Sequence, residues 1–144
     1  SEIGAMGMGI PAGVAAALRY PNRQVFSIVG DGGALMTGSE LATAVAQKAK
    51  IRVIIANNQH YGTIRYHQEV HFPTRNHYAT NLVNPDFAKY GESFGLQCFT
   101  INEVEDIIPT IQKAMEVDGP SLIEFKMSLE INTSTTTLTQ LQMK

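Results

Sequence analysis

Cysteine, basic clusters and long apolar runs are scarce in this chain of 144 residues. Cys98 is the single cysteine, which excludes an intrachain disulfide and suits a reducing, cytoplasmic setting. The Lys and Arg residues are scattered and the formal net charge is −2, so the basic stripe of a nucleic-acid-binding protein is missing. No apolar run approaches the roughly 20 residues of a membrane span, and residues 1–9 lack the basic start of a signal peptide. We therefore expect a cytoplasmic protein with neither a nucleic-acid nor a membrane partner.

The apolar fraction of 44% and the charged fraction of 17% are typical of a globular chain, and the length suits one domain. Apolar, β-branched runs alternate with helical patterns along the sequence. The strands are predicted at 24–29, 51–56, 96–101 and 121–127. The helices are predicted at 12–20 after Pro11, at 40–50 with Ser39 as cap, from Asn84-Pro85-Asp86 to Phe94, and at 103–117 with Asn102 as cap and a kink at Pro109. This alternation predicts an α/β fold, a parallel sheet flanked by helices.

Two segments have no clear pattern of helix or strand. Residues 59–84 are predicted to be irregular, as in a functional loop or a surface that packs on a partner. Residues 132–144 are rich in Thr, Ser and Gln, and we expect a poorly ordered tail there. The predicted division is therefore a domain over 1–130 and a polar C-terminal tail over 131–144.

Polar residues follow two consecutive predicted strands. Gly30-Asp31-Gly32-Gly33 ends the first strand, and Asn57-Asn58 ends the second. Ligands of parallel sheets bind outside the carboxyl ends of the strands, so both motifs are expected at one edge. Asp31 and Asn58 offer the hard oxygen atoms that Mg²⁺ prefers, and the N–H groups of Gly32 and Gly33 can cradle phosphate oxygens.

The spacing of these motifs resembles the signature of thiamine diphosphate (ThDP)-dependent enzymes. In this sequence the 24 residues from 33 to 56 separate Gly30-Asp31-Gly32 from Asn57-Asn58. The resemblance implies that Mg²⁺ is bound by Asp31, Asn58 and the backbone carbonyl of His60. It also implies diphosphate contacts from two short stretches, namely Gly32 and Gly33, and His60, Tyr61, Gly62 and Thr63.

A second motif extends the resemblance toward acetolactate synthases and benzoylformate decarboxylase-like proteins. Gly4-Ala5-Met6-Gly7 is similar to the stretch that contacts the aminopyrimidine ring in those enzymes. Met6 would be the apolar wedge that bends the cofactor, and backbone atoms of Gly4 and Met6 would hold the pyrimidine. The resemblance covers most of residues 3–127 and identifies the chain as a C-terminal pyrophosphate-binding domain.

The resemblance implies decarboxylation or carboligation of a 2-keto acid, with ThDP and Mg²⁺ as cofactors. In the family, the glutamate that activates the pyrimidine lies in another domain, normally on a sister subunit. Glu2, Glu40 and Glu69 do not stand in that context, so no catalytic residue is assigned in this chain. We expect a truncated domain, inactive alone, that needs the pyrimidine-binding domain of a sister subunit and forms a homo-oligomer.

Three other interpretations are open to this sequence. Gly7-Met-Gly-Ile-Pro-Ala12 fits a loose dinucleotide-binding pattern, which requires a strand directly before Gly7. His67 and His71 have a spacing that zinc sites use, although Glu69 is misplaced for the usual helical motif. The chain can also be a non-catalytic interaction module that retains the fold without turnover.

Overall fold

A computed structural model describes residues 4–72, 77–133 and 136–142 of the chain. The helices are α1 (Gly9–Arg19), α2 (Asp31–Thr37), α3 (Leu41–Ala46), α4 (Gly62–His71), α5 (Phe87–Ser93), α6 (Ile107–Glu116) and α7 (Leu138–Gln142). The strands are β1 (Val25–Gly30), β2 (Ile51–Asn57), β3 (Gln97–Ile101), β4 (Ser121–Lys126), β5 (Ile131–Thr133) and β6 (Thr136–Thr137). Among the described residues, no helix has the length and apolar character needed to span a bilayer.

Strands β1 to β4 form one parallel sheet in the order β1-β2-β4-β3, which confirms the predicted fold class. Gly30 pairs with Ala56 and Asn57 pairs with Lys126, so the ends of β1, β2 and β4 meet at one edge. This register brings the two polar motifs together, because each follows directly after its strand. The β5–β6 pair is a separate antiparallel hairpin.

Helices cover both faces of the sheet. One face carries the larger apolar core, built from the sheet together with α1, α2, α3 and α5; its central members include Ile10, Val14, Leu41, Ile51, Val53, Ile55, Phe87 and Leu122. The opposite face carries a smaller core under α6, around Ile101, Ala114 and Ile123. Alternate residues of β2 and β4 thus point to opposite cores, which fits the apolar runs of buried parallel strands.

Gly13 lets α1 lie close against the sheet. A Cβ atom at this position would lie 2.6 Å from Ile51 Cδ1 and 3.0 Å from Ser27 Cβ. We expect Gly13→Ala to destabilise the chain by about 1 kcal/mol, because overpacking costs about 1–3 kcal/mol and the gain in helix propensity is about 1 kcal/mol. Chemical denaturation measures this change. Ile51→Val removes the opposing methyl group and should reduce the penalty in the double variant; a Gly13→Ala chain more stable than the original would contradict the packing.

Arg52 is fully buried in β2, where the sequence pattern shows an otherwise apolar strand. Its guanidinium donates hydrogen bonds to the carbonyls of Val117 (2.8 Å), Met115 (3.3 Å) and Gly119, at the end of α6. Burial lowers the pKa of Arg52, and the charge of Asp118 opposes that shift. Arg52 therefore donates hydrogen bonds from β2 to carbonyls at the carboxyl end of α6.

The prediction of an irregular segment over 59–84 is wrong for residues 62–71, which form α4. Arg65 and Glu69 lie one helical turn apart, are both 5% exposed, and form a 2.6 Å ion pair. Arg65 also donates to Asn81 Oδ1 at 3.3 Å. The helix is stabilised by this pair within it and by the tertiary contact to Asn81, since its β-branched and aromatic residues give it modest intrinsic propensity.

Two predicted helix starts are also wrong. Ser39 does not cap a helix, because it lies in a 3₁₀ turn (Gly38–Glu40) between α2 and α3. Helix α6 begins at Ile107 after a 3₁₀ turn (Val104–Asp106), not after Asn102. Pro109 consequently falls in the first turn of α6, where a missing N–H costs no intrahelical hydrogen bond. The predicted start of α5 is confirmed, since the side chain of Asp86 accepts a hydrogen bond from Lys89 N at 3.0 Å.

The C-terminal segment contains a short helix, which its composition does not indicate. Helix α7 packs against α4, and Leu138 and Leu141 are 7% and 6% exposed. Leu138 N also donates to Glu130 O at 2.8 Å. The described part of the predicted tail, 136–142, therefore includes a short helix with two buried leucines; residues 134–135 and 143–144 lie outside the described residues.

Cys98 is a half-buried thiol in β3. Burial, followed by the negative charges of Glu92 and Asp86, raises the pKa of Cys98 to about 12. Since the thiolate is the reactive form, about one molecule in ten thousand is reactive at pH 8. We expect iodoacetamide to label Cys98 far more slowly in the folded chain than in urea, as followed by mass spectrometry. Equal rates in the two states would show that the thiol is accessible and unshifted.

Candidate functional site

A cleft of about 430 Å³ opens at the carboxyl edge of the sheet. Three stretches of backbone line it: residues 4–9 before α1, residues 28–33 at the junction of β1 and α2, and residues 60–64 after β2. Among the lining residues that the structure describes, Asp31 contributes the one carboxylate, and no Lys or Arg occurs. The cleft is therefore lined largely by glycine, apolar side chains and backbone.

Three helices begin in this cleft. The first residues of α1, α2 and α4 are Gly9, Asp31 and Gly62, and all three line the cleft. None of these helices has a side-chain cap at its N-terminus. The first N–H groups of a helix have no intrahelical partner and carry the positive end of the helix dipole. The cleft thus gathers backbone donors and positive potential without cationic side chains.

Asp31 is 2% exposed, and three donors hold its carboxylate. Oδ1 accepts from Gly32 N at 2.9 Å, while Oδ2 accepts from Gln59 N and from Asn84 Nδ2, both at 2.7 Å. The bond to Gln59 joins the end of β1 directly to the loop after β2. Asp31 is therefore hydrogen-bonded to the residue that lies between the two other predicted metal ligands, Asn58 and His60.

The loop after β2 is tightly turned around those ligands. Gln59 has a φ of 58°, in the left-handed region that residues other than glycine rarely adopt. Asn58 Oδ1 accepts from His60 N at 3.2 Å, and Asn58 O lies 2.6 Å from His60 Nδ1. The segment at Thr80–Leu82 pairs with this loop through Tyr61 N to Thr80 O and Leu82 N to Gln59 O. His60 lines the cleft, whereas Asn58 is not among the lining residues.

The N-terminal turn, residues 4–8, forms the third wall. Gly4 and Gly7 have φ values of 58° and 83°, and Thr37 Oγ1 donates to Gly7 O at 2.6 Å. A Cβ atom on Gly7 would lie 3.2 Å from side-chain atoms of Met36 and Thr37, so the turn needs glycine there. Met6 is 48% exposed and lines the cleft, where an apolar side chain is open to a ligand.

The structure brings together most of the residues singled out from the sequence. Ten of them line the cleft: Gly4, Ala5, Met6, Asp31, Gly32, Gly33, His60, Tyr61, Gly62 and Thr63. Sequence reasoning missed Asn84 and Glu124, which connect to Asp31 behind the cleft. Glu124 gave a signal, because a carboxylate inside the apolar strand Ser121-Leu-Ile-Glu-Phe125 requires a buried partner. The sequence around Asn84 contains no such signal, because its place before Pro85 indicated a helix start.

Two of the alternative sites lose their structural basis. Residues 4–8 contain no strand, so the described part of the chain lacks the strand that a dinucleotide-binding turn requires before Gly7. The rings of His67 and His71 stack 5.7 Å apart on α4. Within the described ranges, no group of three or more His, Cys, Asp and Glu residues is placed to hold a metal ion. A metal at this cleft must therefore use amide or carbonyl oxygens beside Asp31.

Comparison with known proteins gives the family. Residues 2–125 match the model of the thiamine pyrophosphate enzyme C-terminal TPP binding domain. The acetolactate synthase large subunit of Porphyra purpurea is 32% identical over 127 residues, which are 88% of this chain and 22% of that protein. The acetolactate synthase isozyme 2 large subunit of Escherichia coli (strain K12) is 32% identical over 123 residues, 85% of this chain and 22% of that protein.

A solved structure agrees with the sequence comparison. The thiamine diphosphate-dependent 4-hydroxybenzoylformate decarboxylase of Rhodococcus jostii RHA1 superimposes with a TM-score of 0.80 at 31% identity, covering 85% of this chain and 23% of that one. The chain belongs to the family of thiamine pyrophosphate enzyme C-terminal TPP binding domains. It spans less than a quarter of the length of these relatives.

Proposed function

We propose that the cleft binds the diphosphate of ThDP through a Mg²⁺ ion, and that the chain is the pyrophosphate-binding domain of a 2-keto acid decarboxylase or carboligase. One observation carries the proposal. Three uncapped helix N-termini and one buried carboxylate, Asp31, converge on a single cleft. Helix N-termini attract phosphate oxygens, and the carboxylate attracts the cation that accompanies them.

The charge balance of the cleft favours a metal-bridged ligand. A diphosphate beside Asp31 would be repelled by the carboxylate, and no Lys or Arg among the lining residues offsets that repulsion. A divalent cation between the two anions turns the repulsion into attraction. Mg²⁺ commonly binds through one or two carboxylates together with substrate phosphates.

The residues present fit such an ion. Asp31 supplies an anionic oxygen, and Asn58 and the carbonyl of His60 supply neutral oxygens. Both belong to the turn around Gln59, whose N–H donates to Asp31 Oδ2. In the proposed assignment these three hold Mg²⁺. Gly33, Gly62 and Thr63 then offer backbone N–H groups to the phosphates. Gly32 and Tyr61 line the cleft beside them, with their own N–H groups donating to Asp31 Oδ1 and Thr80 O. Glycine is needed at position 32, since a Cβ atom there would lie 2.4 Å from the Tyr61 ring.

The N-terminal turn is assigned to the other end of the cofactor. Met6 would pack against the bent cofactor, and backbone atoms of Gly4, Ala5 and Met6 would hold the pyrimidine. When bound, ThDP would supply a nucleophilic carbon for the keto carbon of a 2-keto acid and an electron sink for the electron pair that remains when CO₂ leaves. The residues of this chain would orient the cofactor, and the activating glutamate would come from the pyrimidine-binding domain of a sister subunit in a homo-oligomer.

Isothermal titration tests the binding proposal. ThDP titrated into the chain with Mg²⁺ should bind at one site, and EDTA should abolish the binding. Thiamine monophosphate should bind much more weakly, because it lacks the second phosphate that shares the metal. Equal binding of ThDP with Mg²⁺ and with EDTA would overturn the metal-bridged assignment.

The proposed reaction requires a second assay. Pyruvate or benzoylformate consumption should be absent for the chain alone and restored when a protein supplying the pyrimidine-binding domain is added. Restoration would exclude a purely non-catalytic interaction module. Cofactor binding without any restored turnover would contradict the decarboxylase or carboligase assignment and leave the binding assignment standing.

A further inference from the structure

Asn84 contacts Asp31 from outside the cleft. It lines a second, polar cavity of about 390 Å³ on the other side of the carboxylate, together with Asn57 and Glu124. Asn84 Nδ2 donates to Asp31 Oδ2 at 2.7 Å and to Asn57 Oδ1 at 2.9 Å. Asn57 Nδ2 donates to Glu124 Oε1 at 2.7 Å. Four side chains on four different segments thus form one continuous chain of hydrogen bonds.

The direction of these hydrogen bonds is determined at Glu124. A carboxylate only accepts hydrogen bonds, so Asn57 must turn its NH₂ group toward Glu124. The Asn57 carbonyl oxygen then faces Asn84, which must present its own NH₂ group in return. The same NH₂ group of Asn84 also donates to Asp31 Oδ2. Asp31 therefore faces a hydrogen-bond donor and not the carbonyl oxygen of Asn84, which would repel the carboxylate. Glu124 is 2% exposed and Asn57 is 7% exposed, so water does not readily replace either partner.

The geometry points to Asn84 as a positioning residue, which we propose orients the Asp31 carboxylate for Mg²⁺, with its own orientation fixed by Glu124 through Asn57. This inference rests on the proposed function of the cleft. Of the three donors to Asp31, Gly32 N and Gln59 N belong to the backbone, and Asn84 Nδ2 belongs to a side chain. Together they fix both carboxylate oxygens while the carboxylate still borders the cleft.

Metal affinity of Asn84 variants tests this role. Mn²⁺ serves as the probe, with free Mn²⁺ measured by electron paramagnetic resonance at saturating ThDP. Asn84→Ala, and Asn84→Leu of similar volume, should weaken Mn²⁺ binding by about 10–100-fold, the usual effect of losing an outer-shell partner. ThDP affinity at saturating Mg²⁺ should stay close to that of the unaltered chain. A merely structural role would lower both affinities together and would not be corrected by excess metal.

Asn102→Ala is the matched control, because Asn102 is an exposed asparagine after β3 at the same edge of the sheet. It should leave the Mn²⁺ affinity unchanged. Adding Glu124→Leu to Asn84→Ala should cause little further loss of affinity, since both substitutions interrupt the same chain of hydrogen bonds. An Asn84 variant with metal affinity within twofold of the unaltered chain would overturn the inference.

The design separates this inference from the function on which it rests. An unaltered chain that binds no Mn²⁺ with ThDP contradicts both. An unaltered chain that binds, beside Asn84 variants that bind equally well, contradicts the positioning role alone. Should neither variant fold, NMR of the unaltered chain decides: the side-chain amide signals of Asn84 should shift on Mg²⁺ addition with ThDP present, and unshifted signals would refute the role.

Discussion

Asp31→Ala is expected to abolish Mg²⁺-dependent binding of ThDP. The substitution removes the one carboxylate among the residues that line the cleft, so the cation loses its anionic ligand. The diphosphate then has only helix N-termini and backbone N–H groups to bind. A ligand at 100 times its Kd adds about 2.7 kcal/mol to the free energy of unfolding, and this increment should disappear in the variant at the same ligand concentrations.

The buried position of Asp31 requires two controls. Its carboxylate accepts three hydrogen bonds, so Asp31→Ala also leaves donors without their partner. Asp31→Asn keeps the shape of the side chain and removes its charge, and it should bind ThDP equally poorly. Asp118→Asn changes an exposed carboxylate and should bind as the unaltered chain does. Undiminished metal-dependent binding by a folded Asp31→Ala chain would show that the metal assignment is wrong.

Arg52→Met is expected to cause the largest loss of stability, at least about 3 kcal/mol, because three carbonyls at the end of α6 lose charge-assisted hydrogen bonds that contribute about 1.5–3 kcal/mol each. Methionine fills much of the volume of the buried side chain but donates no hydrogen bond. The free energy of unfolding in urea measures the change. The cofactor cleft does not include Arg52, so ThDP affinity of the folded variant should be unaltered.

A graded series makes the Arg52 prediction specific. Arg52→Lys retains the charge and loses the planar guanidinium that reaches several carbonyls at once. Its free energy of unfolding should therefore lie between those of the unaltered chain and Arg52→Met. Arg23→Met changes an exposed arginine that lies over the Tyr20 ring, and should stay within about 0.5 kcal/mol of the original. A similar loss for Arg23→Met and Arg52→Met would show that the carbonyl contacts do not stabilise the fold.

The sheet and the site edge were predictable because their signals are local. Four apolar runs predicted β1 to β4, and the positions of Asp31 and Asn58 after consecutive strands predicted one shared edge. The parallel pairing of β1 and β2 then brings the two motifs together, since its register places Gly30 beside Ala56. The glycines at 4, 7 and 32 belong to the same class, because each sits where the chain turns sharply or lies close to another segment.

The missed features depend on contacts between distant segments. Helix α4 was not predicted because part of its stability comes from the contact of Arg65 with Asn81, 16 residues away, and from packing against α7. The two leucines of α7 are too few to form an apolar pattern of their own. Asn84 is 53 residues from Asp31 in sequence, and nothing in its own neighbourhood indicates that hydrogen bond. Arg52 likewise interrupts an apolar strand for a reason found 65 residues away, at Val117.

Thermal unfolding of the chain under four conditions tests metal-bridged cofactor binding most directly: alone, with ThDP, with Mg²⁺, and with both. We expect a clear rise in the melting temperature only when both are present, because the diphosphate and the cation bind as one unit at Asp31. A rise of the same size with ThDP alone would contradict the metal bridge. An unchanged melting temperature in all four conditions would contradict cofactor binding by this cleft.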